Sequence, residues 1–176
     1  MLTSRPQPGQ YVPYFDNYIS RVPVGTEPLA MLAEQPEQLR QLIGGLSEEQ
    51  ALLAYAPGKW TIKEMLLHLI DTERIMAYRA LRIARGDQQP LPGFDENAYA
   101  AESGANERPL SDLLHEYDTV RQATRTLFGS FSPAQLNRAG TASNHPITVR
   151  ALLFVVPGHE AHHVHILRER YLPLLH

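Results

Sequence analysis

Residues 148–171 read TVRALLFVVPGHEAHHVHILRERY. At about 100° per residue, Val149, Leu153, Val156, Glu160 and Leu167 fall into one stripe, so the spacing predicts an amphipathic helix from Thr148 to Tyr171. Pro157 lies inside it, lacks an N–H and crowds the preceding turn, and is expected to kink or locally break the helix. The chain has eight histidines, and four of them crowd between His159 and His165. On the same wheel His163 lies near the centre of the stripe and His159 within about 60° of it. His162 lies on the flank, and His165 on the opposite, polar face.

His159 and His163 are therefore the pair that faces inward. Their i, i+4 spacing puts two imidazoles on adjacent turns of one face. Such a pair can reach a single metal ion at nitrogen distances of about 2.0–2.1 Å. The competing reading is a buried pair hydrogen-bonded to carboxylates, because unpartnered imidazoles in a core stripe are unfavourable. His159 with His162, spaced i, i+3, is the weaker alternative pair. The segment contains H-E-x-H, one residue short of the H-E-x-x-H of zinc peptidases. His115, His145 and His176 read as ordinary surface residues.

Working outward, three more segments carry helical periodicity. The first runs from about Glu27 to Ile43 and ends at Gly44 and Gly45. The second runs from Thr61, a capping-box residue with Glu64, to about Arg85. The third runs from about Pro109 to Phe128. Short helices are expected after Ser47, which forms a capping box with Gln50, and at Ser132-Pro133. Between the second and third helices, Asp87 to Asn106 reads as a long loop punctuated by Pro90, Pro92, Gly93 and Gly104, with a helical turn around Glu96 to Ala101. A connection this long inside a domain is often functional, and it permits a crossover. No strand is expected. The prediction is an all-α four-helix bundle over residues 27–176, preceded by an extended arm, residues 1–26, that its aromatics Tyr11, Tyr14, Phe15 and Tyr18 pack down.

The bulk numbers suit that picture. A chain of 176 residues that is 43% hydrophobic and 20% charged is sized and composed for one globular domain. A net charge of −3 argues against nonspecific nucleic-acid binding, which needs a basic surface. There is no polybasic cluster for an anionic membrane and no apolar run of spanning length. With no cysteine, disulfides, thiolate ligands and a cysteine nucleophile are excluded, so any metal must be held by nitrogen or oxygen. Met1 to Gln10 lacks the apolar core of a secretory signal, which makes the cytoplasm the expected compartment.

A third ligand must come from another helix. His68, within Leu66-Leu67-His68-Leu69-Ile70, lies on the flank of its apolar stripe. Taken alone it reads as a partly buried packing residue. Glu73 and Glu160 project into the stripes of their helices, where a carboxylate wants a donor. Either could accept the free N–H of a ligand imidazole or act as a general base. The competing reading is a buried ion pair with an arginine such as Arg79 or Arg150.

Trp60-Thr61-Ile62-Lys63-Glu64, then His68-Leu69-Ile70-Asp71-Thr72-Glu73, resembles the second-helix signature of the DinB/YfiT-like superfamily of metal-binding four-helix bundles. Leu91-Pro92-Gly93-Phe94-Asp95-Glu96 resembles a loop found in many members. Ile147 to Leu153, followed by Gly158 to His163, resembles the family's last helix. The resemblance implies a metal triad of His68, His159 and His163, a zinc or nickel ion, and a homodimer. It implies a metal-dependent hydrolase acting on a small molecule. The alternatives are an S-transferase that uses a low-molecular-weight thiol and a non-catalytic metal- or ligand-binding stress protein. Three neutral imidazoles leave a divalent ion an open position for water or for a thiolate, so one site could serve either chemistry.

Overall fold

The computed structural model describes residues 3–175, so His176 lies outside the described residues. Its long helices are α1, Pro28–Ile43; α2, Ile62–Ala84; α3, Leu110–Gly129; and α4, Val149–Ile166. The helix starts follow their caps. Thr61 accepts from the Glu64 backbone N–H while Glu64 reaches back to the Thr61 N–H, and Ser47 with Gln50 does the same for the short helix Glu48–Ala51. Ser132 caps Pro133–Leu136 in the same way.

The core divides in two. One apolar cluster contains Leu32, Met76, Phe128, Val149 and Ala151 to Val156; the other contains Leu39, Ile70, Leu113, Tyr117 and Leu167. Helix α1 runs from the first cluster to the second, α2 and α3 run from the second to the first, and α4 returns. Helices α2 and α3 are thus parallel, and the long loop between them is the crossover that parallel neighbours require.

Two expectations need correcting. Strands β1, Ala139–Ala142, and β2, His145–Thr148, form an antiparallel hairpin. Its two-residue turn is Ser143-Asn144, with φ of 51° and 65°, the left-handed pair that suits the strand twist. Strands of four residues containing Gly140 and Pro146 leave too little alternation to be seen as strands. The hairpin positions the crossover loop: the Leu91 N–H donates to Thr141 O and the Ser143 N–H to Leu91 O, both at 2.9 Å. Second, of the kink or local break expected at Pro157, the break does not occur: α4 is continuous through it. The ring sits in a fully buried stretch, Ala151 to Glu160 excepting none, and the Pro157 carbonyl accepts from Gln35 Nε2 at 2.8 Å, so packing holds the helix together. After Ile166 the helix gives way to a π-helical turn, Leu167–Tyr171.

From residue 3 onward the N-terminal arm carries a 3-10 turn, Pro13–Phe15, and a helical turn, Asp16–Ile19. Gly158 is what lets it dock. A Cβ built on Gly158 would stand 2.1 Å from the Tyr18 carbonyl oxygen, so only glycine admits the arm against α4.

Candidate metal centre

Docking through Gly158 puts the Tyr18 ring edge-on to the next residue, His159, at a centroid distance of 5.1 Å. Across the bundle, α2 brings in His68. The two Nε2 atoms are 3.0 Å apart, and His163 Nε2 lies 3.2 Å from His159 Nε2. One ligand atom from each of the three rings falls within 4.8 Å of the others. Among the described residues this is the one group of three or more potential metal-ligating side chains so disposed. Trp60, just before the α2 cap, covers it from the other side, 4.6 Å from His68 and stacked at 6.4 Å on His163.

Burial decides the protonation state. It pushes the pKa of His68 down to about 4. Burial, then the neighbouring His68 and His162, pushes His163 down to about 3. Burial and the adjoining imidazoles hold His159 well below the ordinary histidine value. All three rings are neutral at pH 7, the state in which imidazole is a ligand. Each neutral ring has one lone pair and one N–H. Three converging Nε2 atoms cannot all satisfy one another, whichever tautomers they adopt. A cation among them resolves this.

The other histidines sort by geometry. His162 lines the same cavity beside Tyr18, but its ring is not among the three that converge, and its buried Nδ1 makes no hydrogen bond. His165 is exposed. His145 is exposed as expected, yet it too lines the cavity, because the unforeseen hairpin carries it there. The cavity has a volume of about 400 Å³ and a largely aromatic wall that includes Phe15, Tyr18, Trp60 and Phe94.

Glu73 and Glu160 are buried, but their partner is not an imidazole, and the arginine is neither Arg79 nor Arg150. It is Arg121 on α3. Its Nε donates to Glu73 Oε1 and Oε2 at 3.0 and 3.1 Å, and its Nη2 to Glu73 Oε2 at 2.7 Å and to Glu160 Oε2. The Tyr117 hydroxyl donates to the same Glu160 oxygen at 2.8 Å, and Arg121 Nη1 to Gln35 Oε1 at 3.1 Å. Burial raises the Glu160 pKa, against the pull of Arg121 and Tyr117. Burial also works against the charge on Arg121, yet Glu160 and Glu73 hold its pKa above the ordinary arginine value. The layer takes one polar residue from each helix: Gln35, Glu73, Arg121 and Glu160. A signal for Arg121 is present in the sequence. It falls in line with Tyr117, Thr124 and Phe128 on the buried stripe of α3.

A family model described as the DinB superfamily matches residues 31–167, well over half of the chain. The chain belongs to the DinB superfamily. A Geobacillus thermodenitrificans protein named "Putative metal-dependent hydrolase" is 26% identical over 147 residues, 81% of this chain and 83% of that protein. An Oceanobacillus iheyensis protein with the same descriptive name is 24% identical over 138 residues, 77% of this chain and 79% of that one. Among solved structures, YfiT from Bacillus subtilis superposes with a TM-score of 0.73 at 20% identity, over 84% of this chain and 85% of YfiT. It is described as "a probable metal-dependent hydrolase with an unusual four-helix bundle topology". The likeness at that identity establishes the shared DinB-type fold, including a bundle order that is not simply up and down.

Proposed function

We propose that this DinB-superfamily chain is a metal-dependent hydrolase of small molecules, with one divalent ion held by His68, His159 and His163. The convergence of three neutral Nε2 atoms at the end of an aromatic cavity carries the reading. An all-nitrogen donor set without thiolate suits zinc or nickel. When bound, such an ion supplies Lewis acidity and lowers the pKa of water.

The chain's own residues do the rest. Trp60 and Tyr18 hold the imidazole planes and keep bulk water from the cluster. Burial keeps the rings neutral. Glu73 and Glu160 are positioning residues in this reading, because Arg121 occupies both carboxylates and fixes how α4 sits against α2 and α3. That layer holds His159 and His163 opposite His68. The relatives' descriptive names support hydrolysis as the reaction class.

Elemental analysis after loading with zinc or nickel tests the site. The expected result is one equivalent in the wild type and none in the His68→Ala/His159→Ala/His163→Ala variant. Full metal content in that variant would overturn the assignment. Hydrolysis of a panel of simple esters and amides by the loaded wild type tests the reaction class. Consumption of a low-molecular-weight thiol with an electrophile, in place of hydrolysis, would replace the hydrolase by the thiol transferase.

A further inference from the structure

Two arginines are buried among the described residues, Arg121 and Arg79, at 2% and 3% exposure. Arg121 has two carboxylates. Arg79 forms no ion pair among the described residues. Its Nη2 donates to Pro92 O at 2.8 Å and Ser143 Oγ at 2.9 Å, its Nη1 meets only the Met76 sulfur at 3.8 Å, and no hydrogen bond is made by its Nε. Burial pulls its pKa down with no carboxylate beside it to hold it up. A guanidinium remains charged even so. An unpaired buried charge is strongly unfavourable for folding, so a chain that keeps one at a cavity wall has a use for it.

That wall is the wall of the histidine cavity. His68, Thr72, Met76 and Arg79 are spaced four, four and three residues apart, so they lie along one face of α2 and all line the same space. Eleven residues of helix separate His68 from Arg79, a rise of about 16 Å between their Cα atoms. The lining of the same cavity includes the apolar and aromatic side chains Val12, Phe15, Met76 and Phe94. Glu96 is the one carboxylate on the lining, and it is exposed and makes no ion pair with Arg79 among the described residues. Glu73 and Glu160 are held by Arg121.

We propose that Arg79 anchors the anionic group of the substrate, a carboxylate or a phosphate, while the reacting bond lies at the three histidines. The position of that bond rests on the hydrolase reading; the anion site does not. The substrate class follows: a small molecule with an apolar body and one anionic end, several bonds away from the bond that is cut. With Nη2 committed to Pro92 and Ser143, Nη1, which meets only the Met76 sulfur, is a donor left for either oxyanion, and the charge makes that hydrogen bond a strong one.

Trp60 is the chain's single tryptophan and lines the cavity, so its fluorescence reports occupancy. The probes are 4-phenylbutanoate, 3-phenylpropyl phosphate and the neutral 4-phenylbutanamide, titrated into chelator-treated, full-length protein. At least one anion is expected to bind about tenfold more tightly than the amide, the scale of a charge-assisted hydrogen bond, and which one wins separates carboxylate from phosphate. Arg79→Met should bring that ratio to about one without weakening the amide, and Arg79→Lys, which keeps the charge but loses the bonds that Nη2 makes to Pro92 and Ser143, should fall between. The triple histidine variant should keep the preference. Equal binding of anions and amide by the wild type would overturn the proposal, as would a preference that survives Arg79→Met. Ser143→Ala tests the purely structural role, a clamp between crossover loop and hairpin. It should preserve the preference, and loss equal to that of Arg79→Met would make Arg79 a clamp alone. Should the wild type bind no metal yet retain the anion preference, the hydrolase reading fails and the anion site stands.

Discussion

Glu160 and His159 are neighbours in sequence, yet they belong to two buried polar regions that are satisfied in opposite ways. Glu160 joins a charge-paired layer in which one guanidinium meets two carboxylates and a glutamine, and a tyrosine hydroxyl donates to one of those carboxylates. His159 joins an open cluster in which three neutral rings turn their nitrogens toward each other without enough hydrogens to go round. The first region has its charges paired within the chain, with Glu160 Oε1 the one carboxylate oxygen there that makes no hydrogen bond among the described residues. The second leaves room for the cation proposed for it. Closed polar layers specify how helices pack; open ones bind. Arg79 extends the comparison, because it is as buried as Arg121 and faces the cavity without a carboxylate.

The difference can be broken from the closed side first. Arg121→Met should leave two buried carboxylates unpaired and destabilise the fold by about 3–5 kcal/mol, measured by denaturant unfolding. An effect under about 1 kcal/mol would mean that the layer does not hold the bundle. A smaller effect separates the regions cleanly. Gly158→Ala inserts a methyl group where the Tyr18 carbonyl stands and should cost about 1–3 kcal/mol by overpacking, through displacement of the arm. It should weaken metal binding, as the roof over His159 lifts, while leaving the Arg121 layer intact. Unchanged metal affinity would show that the arm does not support the cluster.

The smallest expected effect is pH dependence of the metal-free protein. The His68 pKa is lowered from 6.5 to about 4 on folding, so between those values the unfolded chain binds the proton and the folded chain does not. Stability therefore falls as pH drops through that window, and His159 and His163 act in the same direction. Melting curves should show this slope in the wild type and a shallower one in the triple alanine variant. Equal slopes would mean that the three rings are not buried neutral together.

Much of this was legible without coordinates. Period and caps are local, so Thr61 with Glu64, Ser47 with Gln50 and the inward pair His159 and His163 could be read from spacing alone. His68 could not, because a histidine on the flank of one helix acquires meaning only when another helix faces it. Glu73 and Glu160 were visible as carboxylates in apolar stripes, but their partner Arg121 lies on α3, dozens of residues from each, and no periodicity links them. The hairpin escaped because its turn is a pairing decision between two segments too short to carry a pattern.

The sequence by itself determined four long helices, their starts, a crossover-length loop and the face on which two histidines lie. Each of these follows from interactions within a few residues of chain. Only the tertiary structure decided which buried charge meets which. It gave both glutamates to Arg121, left the three imidazoles to each other and placed Arg79 on the cavity wall. Those pairings depend on helix order and rotation, which are set by the packing of all four stripes at once.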